Sequence, residues 1–180
     1  MAEVNEEIVA QYLSLKKQWF YVIDIPFVVK GNYSNIDVLA YDPKTDSYYD
    51  IEVKFRSKYT MAAKTRAGKD ISRNSVKWLV DQFTKYPGRT KKISEFTKGK
   101  KAKKLLITTK KLFGTSPDKR NALEAAFKSE MKKNKFSADI WYFDDMIPEL
   151  QKAVGLDGRF NTQLLQTIRM INTYRDSNHA

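Results

Sequence analysis

Between residues 19 and 55 three runs of β-branched and aromatic residues follow one another with connections too short to hold a helix. No other feature constrains the fold as tightly. The runs are 19–29 (WFYVIDIPFVV), 36–41 and 48–55 (YYDIEVKF), punctuated by Lys30-Gly31-Asn32 and then by Asp42-Pro43 with Thr45-Asp46. Strands this close in sequence pair antiparallel, as a meander, because a parallel return needs a crossover of about a dozen residues or more. Pro26 has no amide proton, so it predicts a bend or an edge position for the first strand.

The remaining elements follow from periodicity. Val4, Ile8, Tyr12, Leu15 and Trp19 recur at helical spacing and predict a helix over 4–17. After the meander, 57–69 reads as a polar loop. A helix over 72–85 carries Val76, Leu79, Val80 and Phe83 on one side and is ended by Pro87-Gly88. Residues 91–104 read as a lysine-dense connection and 105–109 as a short, buried crossover strand. Pro117 opens a helix over 116–133, a strand follows at 138–143, and helices over 145–154 (with Gly155 as cap) and 161–174 close the chain. The expected fold class is α/β. It is a mixed sheet of about five strands, a three-strand meander followed by crossover strands, flanked by helices and with two extra C-terminal helices. With no repeat or linker, 1–180 reads as one domain, its core about 3–144 and its helical extension about 145–176.

Composition removes several kinds of chemistry. The 180 residues contain no cysteine and a single histidine, His179, beside the C-terminus. Disulfide frameworks, thiolate metal sites and histidine catalysis are thereby excluded, and any metal must be held by oxygen, which points to Mg²⁺, Mn²⁺ or Ca²⁺. No apolar run reaches the ~18–20 residues of a membrane span. The opening Met-Ala-Glu-Val-Asn-Glu-Glu lacks the order of a secretory signal, so a soluble, cytoplasmic protein is expected. The formal net charge is +12, and residues 54–135 hold 25 of the 33 Lys and Arg but only 6 of the 21 Asp and Glu. A basic field so concentrated attracts a polyanion, and nucleic acid is the commonest one.

The third run carries the chemistry. With side chains alternating at period two, Ile51, Val53 and Phe55 face a core, while Asp50, Glu52, Lys54 and Arg56 point the other way. Glu52 and Lys54 then stand about 7 Å apart along one strand face. Asp37, an acid between Ile36 and Val38 on the neighbouring strand, can converge with Glu52 on one cation. Two carboxylates and a lysine are what Mg²⁺-assisted phosphodiester hydrolysis needs. Alone, Glu52-Val53-Lys54 is also an ordinary half-exposed strand face.

Asn35-Ile36-Asp37 followed after fourteen residues by Glu52-Val53-Lys54 resembles the PD-(D/E)xK nuclease superfamily, the restriction-endonuclease-like fold. The likeness covers about residues 5–86; Ile36 stands where the motif has its proline. The resemblance implies a metal-dependent deoxyribonuclease with Asp37 and Glu52 as ligands to Mg²⁺ (Mn²⁺ substituting), the Val53 carbonyl as a further ligand, and Lys54 assisting the nucleophile. Asn5-Glu6-Glu7-Ile8-Val9 is similar to the first helix of archaeal Holliday-junction resolvases and Mrr-type restriction enzymes, which implies that Glu6 completes the acidic cluster. Gln82-Phe83-Thr84-Lys85-Tyr86 is similar to the Q-x-x-x-Y pattern of RecB-type exonuclease domains, which adds Gln82 to the catalytic set. A structure-specific or restriction-type endonuclease is favoured, and paired cleavage of two strands would call for a homodimer. The alternatives are a RecB-type end-processing exonuclease and a non-catalytic nucleic-acid-binding module on the same fold.

Basic residues that would hold the substrate backbone follow the motif directly. Arg56, Ser57 and Lys58 would line the edge of the site, and Lys64, Arg66, Lys69 and Arg73 lie in the segment beyond it. Lys100, Lys101 and Lys103 belong to the densest run of charge. Phosphate contacts of this kind give affinity without sequence preference, and the resemblance implies DNA rather than RNA as the polyanion. Trp19, Trp78 and Trp141 sit in apolar patterns and are expected in the core.

Overall fold

In the structure, a computed structural model, residues 4–55, 75–154 and 162–177 are described. The expected loop at 57–69, the start of the helix at 72 and the cap at Gly155 lie outside them. The meander is β1 (Phe20–Val29), β2 (Asn32–Asp42) and β3 (Ser47–Lys54). Lys30 and Gly31, both at positive φ, form the two-residue turn between Val29 and Asn32. The Asp42 carboxylate accepts from the Lys44 amide and the Thr45 hydroxyl, which closes the next turn.

Two parallel strands complete the sheet, β4 (Ala102–Thr108) beside β3 and β5 (Ala138–Tyr142) beside β4. The order is β1-β2-β3-β4-β5, mixed and five-stranded, with β1 at an edge. Pro26 lies in that edge strand, where its missing amide costs no ladder bond within the sheet.

Helices cover both faces. On the first face α1 (Val4–Tyr12) runs into a π-helical turn (Leu13–Lys17) that is closed by Gln18 in the left-handed region. It packs with α6 (Phe143–Val154) over Val38, Ile51, Val53, Leu105 and Ile107. Each of these side chains is worth about 1.5–3 kcal/mol when fully buried. The C-terminal helices are part of this layer. Met146, Leu150 and Val154 of α6 and Leu165 of α7 (Gln163–Ser177) are buried in it, so the core does not stop near residue 144. On the second face α2 (Val76–Thr84) and α5 (Pro117–Lys133) enclose Leu79, Phe83, Leu106, Phe113 and Phe127. Trp19 and Trp141 pack against the first cluster and Trp78 against the second.

Two helices were not expected from sequence. Pro87 begins α3 (Pro87–Phe96) rather than only ending the helix before it, and α4 (Lys110–Phe113) is a single turn. α3 lays Ile93 over Ile25, Phe27, Ile36 and Leu39 in a third cluster. Among the described residues no helix is long and apolar enough to cross a membrane.

Candidate active site

β3 is buried on both faces, but its two faces differ in kind. Ile51 and Val53 enter the apolar core, while Asp50 and Glu52 face the second side, where α3 covers them with Arg89. The period-two alternation assigns the faces in this way, but the charged one is covered rather than half-exposed. Arg89 is only 2% exposed. Its Nε and Nη2 donate to the two oxygens of Asp50 at 3.3 and 2.6 Å, and Nη1 donates to Oε2 of Glu52 at 2.6 Å. Nη1 also donates to the Gln82 backbone oxygen at 3.2 Å, and Lys104 adds a second cation to Asp50 at 2.7 Å. Burial would raise the Asp50 carboxyl, but Arg89 and Lys104 outweigh it and hold it below its ordinary range.

Glu52 turns its other oxygen toward Lys54, Nζ to Oε1 being 2.6 Å. The same ammonium lies 3.5 Å from Oδ2 of Asp37. Asp37 is therefore gathered with Glu52 around one positive charge. Its position comes from a break in two strands. β1 and β2 are in register at Ile23↔Val38 and at Ile25↔Ile36, but Asp24 and Asp37 between them do not pair, and Asp24 has φ +57°. The strands change faces there. Tyr21, Ile23 and Val38 pack in the first-face core, whereas Ile25, Phe27 and Ile36 pack under α3 on the other side. Outside the β1–β2 ladder, the Asp37 carboxylate accepts the Val53 amide at 2.7 Å and so continues the β2–β3 pairing with a side chain.

Burial and the Glu52 carboxylate together push Asp37 up to about 7, against the pull of Lys54, the Val53 amide and Arg89. Lys54 would be lowered by burial, but Glu52 and Asp37 outweigh that and hold it above its ordinary value, so it is an ammonium.

One cavity of about 260 Å³ brings together Glu6 of α1, Asp37, Glu52, Lys54 and Gln82, all five residues singled out from the sequence. Asp24, Asn35, Tyr86 and Arg89 share its walls. Gln82 donates its amide to the Trp78 carbonyl one turn back at 3.1 Å. Tyr86 does not continue that helix as the Q-x-x-x-Y pattern implied; it stands at the junction before α3 with its ring 6.2 Å from that of Phe27.

The expected ligand set differs in one respect. Among the described residues no three acidic or histidine side chains stand close enough to cage a metal ion, and Asp37 and Glu52 meet through Lys54. Val53, whose carbonyl was the further candidate, contributes its amide to Asp37.

The expected substrate-binding residues separate into two groups. Arg56, Ser57, Lys58, Lys64, Arg66, Lys69 and Arg73 lie outside the described residues. Lys100, Lys101 and Lys103 stand at the start of β4, whose far end, Thr108, pairs with Lys54. That is roughly 20 Å along the sheet from the cavity. Lys100 pairs with Asp46 at 2.8 Å, Lys103 lies over the Tyr49 ring at 5.4 Å, and Lys101 is exposed.

Arg89 and Asp24 were missed. The signal for Arg89 was indirect, since an acid such as Asp50 flanked by core residues of a central strand demands a cation from elsewhere. Asp24 offered only its place in an apolar run, as Asp37 did. Comparisons of the chain with protein-family models, with curated proteins and with solved structures find no match.

Proposed function

We propose that the chain is a metal-dependent nuclease that hydrolyses phosphodiester bonds, with DNA as the favoured substrate and Mg²⁺ as the ion. A structure-specific or restriction-type endonuclease is the favoured form. The observation that supports this most is the shared cavity of Glu6, Asp37, Glu52, Lys54 and Gln82, to which α1, β2, β3 and α2 each contribute. The donor set suits a hard divalent cation, because Asp37 and Glu52 already converge on one positive charge at the cavity wall. Asp37 and Glu52 would hold the ion, with Glu6 lining the same cavity. When bound, Mg²⁺ neutralises charge on the scissile phosphate and acidifies water. Lys54 is the group with freedom to act, its side chain 21% exposed against 3% for Glu52. Leaving the carboxylates, its ammonium donates to a phosphate oxygen and stabilises the charge that builds there.

The test is a panel of single-stranded, duplex, flapped and four-way-junction DNA, with matched RNA, incubated with Mg²⁺ or Mn²⁺. Lys54→Ala is expected to abolish cleavage while circular dichroism and DNA binding stay those of the parent. Equal cleavage by variant and parent, with contaminating nuclease excluded, would overturn the assignment.

One observation favours a second reading, a non-catalytic nucleic-acid-binding module. The buried carboxylates Asp37, Asp50 and Glu52 face the cations Lys54, Arg89 and Lys104 in equal number. That reading predicts salt-sensitive binding and no Mg²⁺-dependent product on any member of the panel.

A further inference from the structure

A buried guanidinium with all three nitrogens engaged is a geometric device as much as a charge. Asp50 takes the Nε–Nη2 edge of Arg89 with both its oxygens, which fixes the plane of the guanidinium. The Gln82 carbonyl receives Nη1 as well, so the fork has no freedom to turn. What remains of Nη1 is aimed at a single atom, Oε2 of Glu52. The consequence lies on the other oxygen. With Oε2 tethered 2.6 Å from Arg89, Oε1 is left to meet Lys54 at 2.6 Å, at the cavity wall shared with Asp37. Arg89 is carried to this place by the first turn of α3, which Gly88 allows to lie directly on the β1 backbone, a Cβ there being 2.5 Å from the Val28 oxygen.

We propose that Arg89 is the positioning residue of the site: by holding one oxygen of Glu52 against Asp50, it fixes the other toward Lys54 and the cavity. The proposal rests on the nuclease reading for its kinetic consequence but not for its geometry. Lysine could keep the charge, but one ammonium cannot present two edges to Asp50 while also reaching Glu52. Lys104 supplies the matching control. It is as deeply buried in the same network, yet it touches Asp50 and not Glu52. A role in stability alone would be shared by both cations.

Arg89→Lys and Lys104→Met are therefore compared with the parent. For Mg²⁺-dependent cleavage, Arg89→Lys is expected to lower kcat by about 10–100-fold with KM for DNA little changed, as removal of an orienting partner does. Lys104→Met should keep the parent kcat even where its melting temperature falls. The second readout needs no activity. The Lys54 side-chain ammonium, observed by ¹H–¹⁵N NMR in metal-free protein, should keep its chemical shift in Lys104→Met and lose or move it in Arg89→Lys. Equal loss of kcat in the two variants, or an unmoved Lys54 signal in folded Arg89→Lys, overturns the proposal. A parent that cleaves nothing overturns the nuclease reading, and the Lys54 signal then decides the positioning role alone.

Discussion

Asp37 is where a single residue shapes the behaviour of the metal-free protein. Its carboxyl is raised to about 7 by burial and by Glu52, from 3.8 when free. Below pH 4 both the folded and unfolded chains hold this proton. Between about 4 and 7 the folded chain keeps the proton that the unfolded chain has released, so stability falls as pH rises through that window. Above it both have lost the proton and the penalty is complete. Asp37→Asn should therefore flatten the stability profile between pH 4 and 7, measured by urea unfolding in the presence of a chelator. Parallel profiles for variant and parent would show that Asp37 is not destabilised by ionisation. Asp50 behaves in the opposite sense. Its lowered carboxyl contributes stability at neutral pH that is lost as the pH falls below the ordinary carboxylate range.

At the level of elements, α3 decides whether the site is assembled. The helix starts at Pro87 without a side-chain cap, and Gly88 in its first turn would place a methyl group 2.5 Å from the Val28 carbonyl oxygen. Backbone cannot yield there as a flexible side chain can. Gly88→Ala should lift α3 from β1 and cost about 1–3 kcal/mol, the range for overpacking. The Arg89 pairs to Asp50 and Glu52 should loosen with it; an unchanged melting temperature would refute the close approach. This helix was also the hardest element to read from sequence. Inward it presents only Arg89 and Ile93, among polar residues, so it has no apolar stripe to announce it. The meander was legible because alternation and short connections are local properties. Asp37, Glu52 and Lys54 were legible because alternation puts Glu52 and Lys54 on one strand face and the spacing back to Asp37 matches a known motif. Arg89 was not, since a buried arginine and a surface one look alike until a distant carboxylate is placed beside it. Nor was the change of strand face at Asp24, which depends on one backbone angle rather than on any pattern.

For the whole molecule the question is how a stretch of chain so rich in positive charge relates to one small cavity. The excess of positive charge lies between residues 54 and 135, which includes both β3's motif lysine and the start of β4. Lys100, Lys101 and Lys103 stand roughly 20 Å from Lys54, a length spanned by about six base pairs of duplex rise. If these lysines meet phosphates, replacing all three with alanine should reduce the slope of log affinity against log salt by about 0.9 for each phosphate no longer neutralised. Lys100 already has Asp46 as a partner, so Lys101 and Lys103 are expected to account for most of the change. An unchanged slope would assign the three to solvation.

The left-handed Asp24 has a consequence outside the cavity. Among the described residues β1 is one edge of the sheet, and Phe20, Val22 and Val28 are exposed on it. Ten residues of straight, apolar strand with free amides would be a template for another chain to extend. The reversal of faces at Asp24, followed by Pro26 with no amide to offer, divides that border into two stubs that point differently. The irregularity that delivers a carboxylate to the cavity also leaves that border without the long, regular edge that another strand could extend.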